Sequence, residues 1–234
     1  MKTTETSIKG THCLYTTTRG SIVKDFFSAV KDRTTSNEIT YPPASYNHYG
    51  FVVCLENGYI SDGNKKLERV LPEVDLSLNQ NGGFSLSLWF ITKSSPGGVH
   101  RFIFKKGGGI DELTPSVGFL PNGENLFVKI ISSKHKIESL YSAKVIEPNR
   151  LYNVVVSFAV DYLNGLTDIS LYVDGLLDSQ ISIPGEPVHN QGNLILGKVD
   201  NLNYGFVGMV ADVVLITRVM NPVEVCLTYL IFLD

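Results

Sequence analysis

Cysteine is scarce in this 234-residue chain, and Cys13, Cys54 and Cys226 are far apart with no CxxC spacing. That pattern suggests neither a disulfide framework nor a thiolate zinc site, so three reduced thiols are expected. No apolar run reaches the roughly 20 residues that a membrane helix needs, the nearest being "VEVCLTYLIFL" at 223–233. The opening "MKTTETSIKGTHCLYTTTRG" lacks the apolar core of a secretory signal, its acid and polar content suits a mitochondrial leader poorly, and no Asn-x-Ser/Thr acceptor occurs. An intracellular location, cytoplasmic or organelle-associated, is therefore expected; if the sequence is an excerpt of a longer protein, an extracellular one is open. Lys and Arg, 20 against 23 acids for a net charge of −3, are scattered among those acids. No basic stripe can neutralise a phosphate backbone, which speaks against nucleic acid.

Catalytic signatures are lacking as well. The five histidines (12, 48, 100, 135, 189) form no HExxH or close pair, no Gly-x-Ser-x-Gly elbow is present, and "KKGGGIDE" at 105–112 lacks the Gly-Lys-Ser/Thr ending of a phosphate loop.

What the chain does have is 43% hydrophobic residues, enough for one large core. Residues 1–45 read as a Thr-, Ser- and Lys-rich extension with one short amphipathic helix, in which Ile22, Val23, Phe26, Phe27 and Val30 follow Ser21 at spacings of three and four. Residues 46–234 read as a single β-domain. Its short β-branched and aromatic runs are punctuated every 8 to 15 residues by Gly, Pro, Asn or Asp, the pattern of an antiparallel sandwich. In "FSLSLWFIT" (84–92), Phe84, Leu86, Leu88 and Phe90 share one face, and the other is only partly polar. "LYVDGLLDSQISI" places Asp174-Gly175 between two alternating runs, and "FLPNGENLFVKI" places Asn122-Gly123 likewise; both predict two-residue hairpins, with Asp174 a turn residue before it is anything chemical. Near the end, Asn221, Pro222 and Glu224 announce a short helix whose continuation is apolar enough to demand cover, so Leu230 and Phe232, with Phe26 and Phe27, are candidate docking residues.

Taken in order, "FSLSLWFIT", "FIFKKG", "VGFLPNGENLFVKI", "IEPNRLYNVVVSFAVD", "ISLYVDGLLDSQ", "GNLILGK" and "FVGMVADVVLITRVMNPVEV" resemble the laminin-G-like branch of the concanavalin A-like lectin/glucanase superfamily over residues 84–225. "ISLYVDG" is similar to the family's hairpin almost letter for letter. Leu151, Asn153 and Ala211 depart from it, standing where Trp, His and an acid are common. The resemblance implies an all-β, two-sheet antiparallel jelly-roll sandwich, with ligands taken on the concave face or the loop rim. It also implies a choice among lectin, glycosidase and protein-binding module, because a fold does not select a function.

The glycosidases of the superfamily use Glu-x-Asp-x-x-Glu. The nearest match here, "EVDLSL", puts Glu73 and Asp75 in phase and Leu78 where the acid/base belongs, and leucine cannot protonate a leaving group. No catalytic residue is therefore expected, and no required cofactor. Many relatives hold a calcium ion at the rim, for which Asp161 and Asp200 are the candidate ligands. Trp89, Tyr162, Asn203 and Tyr204 are candidate ligand-binding residues for a glycan, although Trp and Tyr serve interfaces and cores equally. The favoured expectation is a non-catalytic module binding a protein partner, as a structural or accessory subunit of a larger assembly. A carbohydrate-binding lectin comes second and a divergent glycoside hydrolase third.

Overall fold

The structure is a computed structural model that describes residues 52–55, 59–62, 66–69, 82–93, 98–107, 115–188, 190, 194–197, 205–216 and 218–230. Phe26 and Phe27 with their expected helix, the 45/46 boundary, Glu73, Asp75 and Leu78, Asp200, Asn203, Tyr204 and Phe232 all lie outside the described residues.

Two antiparallel sheets stack face to face. The first is ordered β1-β13-β4-β9-β10-β11, with β2 pairing β13 beyond β1; the second is ordered β3-β12-β5-β6-β7-β8. The strands are β1 (Val52–Leu55), β2 (Tyr59–Asp62), β3 (Lys66–Arg69), β4 (Gly83–Thr92), β5 (Arg101–Lys106), β6 (Ser116–Phe119), β7 (Leu126–Ile131), β8 (Ile137–Tyr141), β9 (Leu151–Asp161), β10 (Leu166–Val173), β11 (Leu176–Pro184), β12 (Leu194–Gly197) and β13 (Val207–Ile216); helix α1 is Pro222–Leu230. This is the expected sandwich, and every run from Phe84 onward that alternates in sequence forms a strand.

Alternation builds the core. Phe84, Leu86, Leu88 and Phe90 of β4 and Tyr152, Val154, Val156 and Phe158 of β9 face inward onto Phe104, Phe119, Leu126 and Val128 of the second sheet. Aromatic rings lock the core, Phe90 packing edge-on across the layers against Phe119 at 5.7 Å and Phe84 stacking within the first sheet on Phe158 at 4.3 Å.

The two predicted turns differ. Asp174 and Gly175 both take positive φ, +54° and +78°, and Val173 pairs directly with Leu176. That is the two-residue turn expected, of the primed type whose twist matches the strands. Asn122-Gly123 is a correction: the hairpin between β6 and β7 forms, but around a longer loop. Gly123 N–H donates to Leu120 O (2.8 Å), Leu120 N–H donates to Asn125 O (2.8 Å), and Gly123 has positive φ where Asn122 does not. Pro121 is the reason. Its ring fixes φ near −65°, which sets a type I turn and moves the left-handed position onto Gly123.

Candidate functional site

β13 ends at Ile216, and the chain folds back over the outer face of the first sheet. Ser85, on the outward side of β4, pins that return: its Oγ donates to Arg218 O (3.0 Å) and accepts from Met220 N–H (2.8 Å). Helix α1 then starts as the sequence predicts. Asn221 Oδ1 accepts from Val223 N–H and Glu224 N–H (both 3.0 Å), while Glu224 Oε2 accepts from Asn221 N–H (3.0 Å), a reciprocal cap with proline at the first helical position. Arg218 grips Glu224 through both terminal nitrogens, at 2.8 and 2.9 Å. Burial raises the Glu224 pKa, but the Arg218 hydrogen bonds, the Asn221 N–H and the Arg218 charge outweigh it and hold the carboxyl below the ordinary glutamate range.

One side of α1 is sealed. Val225 is fully buried in a small cluster with Val155, Tyr172, Val214, Ile216 and Met220, and Tyr229 stacks on the Trp89 indole at 6.0 Å and 15°. Trp89 is thus 3% exposed and turned toward the helix rather than the solvent. Beside it in register lies Asn153, wholly buried, whose side-chain oxygen and nitrogen have no hydrogen-bond partner. The other side of α1 is open. Val223, Leu227 and Leu230, spaced i, i+4 and i+7, are 66%, 43% and 46% exposed. The β10–β11 hairpin adjoins them: a Cβ on Gly175 would stand 3.0 Å from Tyr229 Cβ and 3.4 Å from Cys226 Cα, and the next two residues, Leu176 and Leu177, are exposed.

The hairpin is held rigidly. Asp174 is nearly buried; its Oδ2 accepts from Lys144 Nζ (2.9 Å) and Arg150 Nη2 (3.2 Å), and its Oδ1 from Asn153 N–H (3.2 Å). One turn further, the Asp178 carboxylate accepts from Ala143 N–H and Lys144 N–H, both at 2.8 Å. Both acids clasp the segment after β8 to the β10–β11 hairpin.

Asp161 stands at the opposite end of the sandwich, in the β9–β10 turn. Its Oδ1 accepts from Leu163 N–H (3.0 Å) and Asn164 N–H (3.2 Å), and its Oδ2 from Asn164 Nδ2 (2.6 Å). The Asn164 side chain and the Asn164 N–H lower its pKa most, desolvation opposes them, and the Leu163 N–H adds to the lowering. Gly205 belongs to the other end, where Arg101 Nη1 donates to its carbonyl oxygen (3.0 Å). Tyr162 is half-exposed beside Asp161. Among the described residues no group of three or more His, Cys, Asp or Glu side chains is placed to hold a metal ion.

A laminin G-type family model, described as the concanavalin A-like lectin/glucanases superfamily, matches residues 63–226, more than half of the chain. No curated protein matches. Solved structures share the fold at low identity. The chain is similar to the binding domain of botulinum neurotoxin serotype G (TM-score 0.59, 14% identity, 85% of this chain and 48% of that one). It is similar also to the receptor-binding domain of botulinum neurotoxin D (0.55, 13%, 83% and 46%) and to the binding domain of Paraclostridial Mosquitocidal Protein 1 (0.54, 15%, 77% and 48%). The chain therefore spans about half the length of these structures, and at such identity the likeness is one of fold.

Proposed function

Because the chain belongs to the concanavalin A-like lectin/glucanase superfamily, we propose that it is a non-catalytic binding module that docks a protein partner on the outward side of α1 and the adjoining β10–β11 hairpin, as an accessory subunit of a larger assembly. The observation that carries this reading is the row Val223, Leu227 and Leu230, left in solvent on a helix whose opposite side is fully packed. An i, i+4, i+7 apolar row is the pattern by which a helix enters a groove or pairs with a second helix. Leu176, 72% exposed, extends the row onto a hairpin fixed by Asp174 and Asp178, so the surface is ordered before it binds. Support for the absence of catalysis comes from Leu78 standing where the acid/base of the superfamily's glycosidases belongs, and from the similar structures being binding domains by title.

The test compares the wild type with a Leu227→Asp/Leu230→Asp variant in cross-linking and pull-down from native extract, with circular dichroism as the control for folding. Loss of a wild-type partner by a folded variant is the expected result. An unchanged set of partners, or a wild type that stays a free monomer, overturns the reading.

A glycan ligand is the second reading. One similar structure is titled as a neurotoxin binding domain in complex with SialylT. A glycan array run in calcium and in chelator tests it, and silence in both removes it.

A further inference from the structure

The end of the sandwich that carries Asp161 has a feature the binding surface at α1 does not use. The turn between β9 and β10 projects Leu163 almost entirely into water, at 97% exposure, with Tyr162 half-exposed beside it. This is not a slack loop. Asp161 accepts three hydrogen bonds from within the turn, and Gly165 O accepts Gly185 N–H at 2.8 Å, so the leucine is held out by a stapled turn.

Cations flank it. Gly185 brings in the β7–β8 loop: its N–H meets the Leu163 turn, while a Cβ placed on it would lie 2.6 Å from Ser133 Oγ and 3.2 Å from Lys134 Cγ. Ser133 N–H donates to Glu186 O (2.6 Å) and Ser133 Oγ accepts from Glu186 N–H (3.0 Å), which fixes the two loops together. Lys134, His135 and Lys136 follow, all exposed. The acids nearby are Asp161, whose carboxylate is turned into its own turn, Glu186, which bears on Tyr162, Glu138, half-buried two residues beyond Lys136, and Asp168, which accepts from Ser182.

We propose that this end of the molecule docks on an anionic phospholipid surface, Leu163 and Tyr162 entering the headgroup boundary and Lys134 and Lys136 pairing with lipid phosphates and carboxylates. Shape and charge together favour a bilayer over a protein groove. The apolar element is a single convex tip rather than a row or a hollow, and it stands beside clustered cations, the arrangement by which a soluble domain combines shallow insertion with electrostatic attraction. One leucine and two lysines give a weak, reversible contact that strengthens with the density of anionic lipid.

Flotation of the full chain with phosphatidylcholine vesicles, with and without 30% phosphatidylserine, tests the proposal, the vesicle composition being a design choice on the order of a cytoplasmic-leaflet surface charge. The wild type should float with the anionic vesicles, and salt should release it. Leu163→Asp should lower the bound fraction about tenfold, and Lys134→Glu/Lys136→Glu about tenfold or more. Both sites are exposed, so circular dichroism should match the wild type, and Leu227→Asp/Leu230→Asp should float unchanged, which separates this surface from the one at α1. No flotation of the wild type, equal flotation of Leu163→Asp, or a photo-crosslinker at Leu163 that captures protein and no lipid would overturn it.

Discussion

Lys144 Nζ lies 2.9 Å from Asp174 Oδ2 across 30 residues of sequence, and this contact ties the loop after β8 to the hairpin that abuts α1. Asp174 also serves Arg150 and the Asn153 N–H, and does so with a left-handed backbone that Asn and Asp tolerate better than other side chains. Asp174→Ala should therefore cost about 2–3 kcal/mol: it removes a buried acceptor, strands two cations that are themselves partly solvated, and strains the turn. Asp174→Asn keeps the turn and one acceptor and should cost about 1 kcal/mol. Urea unfolding of the two variants measures the difference; equal losses would show that the ion pairs, rather than the turn geometry, carry the effect.

The docking of α1 should depend on pH. Glu224 has a lower pKa folded than unfolded, so its stabilising contribution is complete above the ordinary glutamate value of 4.5 and is lost as pH falls through the folded value. The protein has one tryptophan, Trp89, and Tyr229 covers it, so its emission reports whether the helix is seated. Emission should shift to the red on acidification below about pH 4.5. Glu224→Gln should be looser already at neutral pH, by about 1 kcal/mol from the lost charge on the Arg218 fork, while its amide oxygen can still cap Asn221 N–H, and it should lack most of the acid step. An acid step unchanged in Glu224→Gln would assign it to another group.

Gly118 is where two strands touch too closely for any side chain. A Cβ there would stand 2.2 Å from Arg101 O and 2.9 Å from Phe102 Cα, both backbone atoms, beside the irregularity in β5 between Phe102 and Phe104. Gly118→Ala should cost about 2–3 kcal/mol by prising β5 from β6, seen as a lower urea midpoint. A loss below about 0.5 kcal/mol, the range of an ordinary surface change, would mean the pair can part without penalty.

Local grammar was enough for the strands from Phe84 onward, for the cap formed by Asn221 and Glu224, and for the Asp174-Gly175 turn, because each rests on residues within a few positions of one another. The Asn122-Gly123 loop departs from the two-residue turn its dipeptide predicts because Pro121, one position earlier, fixes a different turn. Trp89 was placed among surface candidates because the alternation of β4 says only that Ser85, Ser87, Trp89 and Ile91 share a face. What covers that face is a helix some 130 residues further on, pinned through Ser85, and no periodicity encodes that contact. Leu163 drew no notice for a related reason: in "DYLNG" the acid and the tyrosine look functional, whereas the exposure of a leucine is decided by how Asp161 folds the turn beneath it. The short strands β1, β2 and β3 carry too few residues each to show a period, and they exist through pairing with β13 and β12.

Val52 sits opposite Ile216, so the first and the last strands of this sheet among the described residues are neighbours although they are far apart in the sequence. On the ribosome β4 waits for β13 with one edge unpaired, and neither α1 nor Tyr229 can shield Trp89 until some 130 further residues have been made. A chain truncated at Ile216 would keep every strand of the described residues yet leave the outer face of β4 bare. The same adjacency brings entry and exit of the sandwich to one edge, the arrangement that lets a domain be spliced into another polypeptide without disturbing its host.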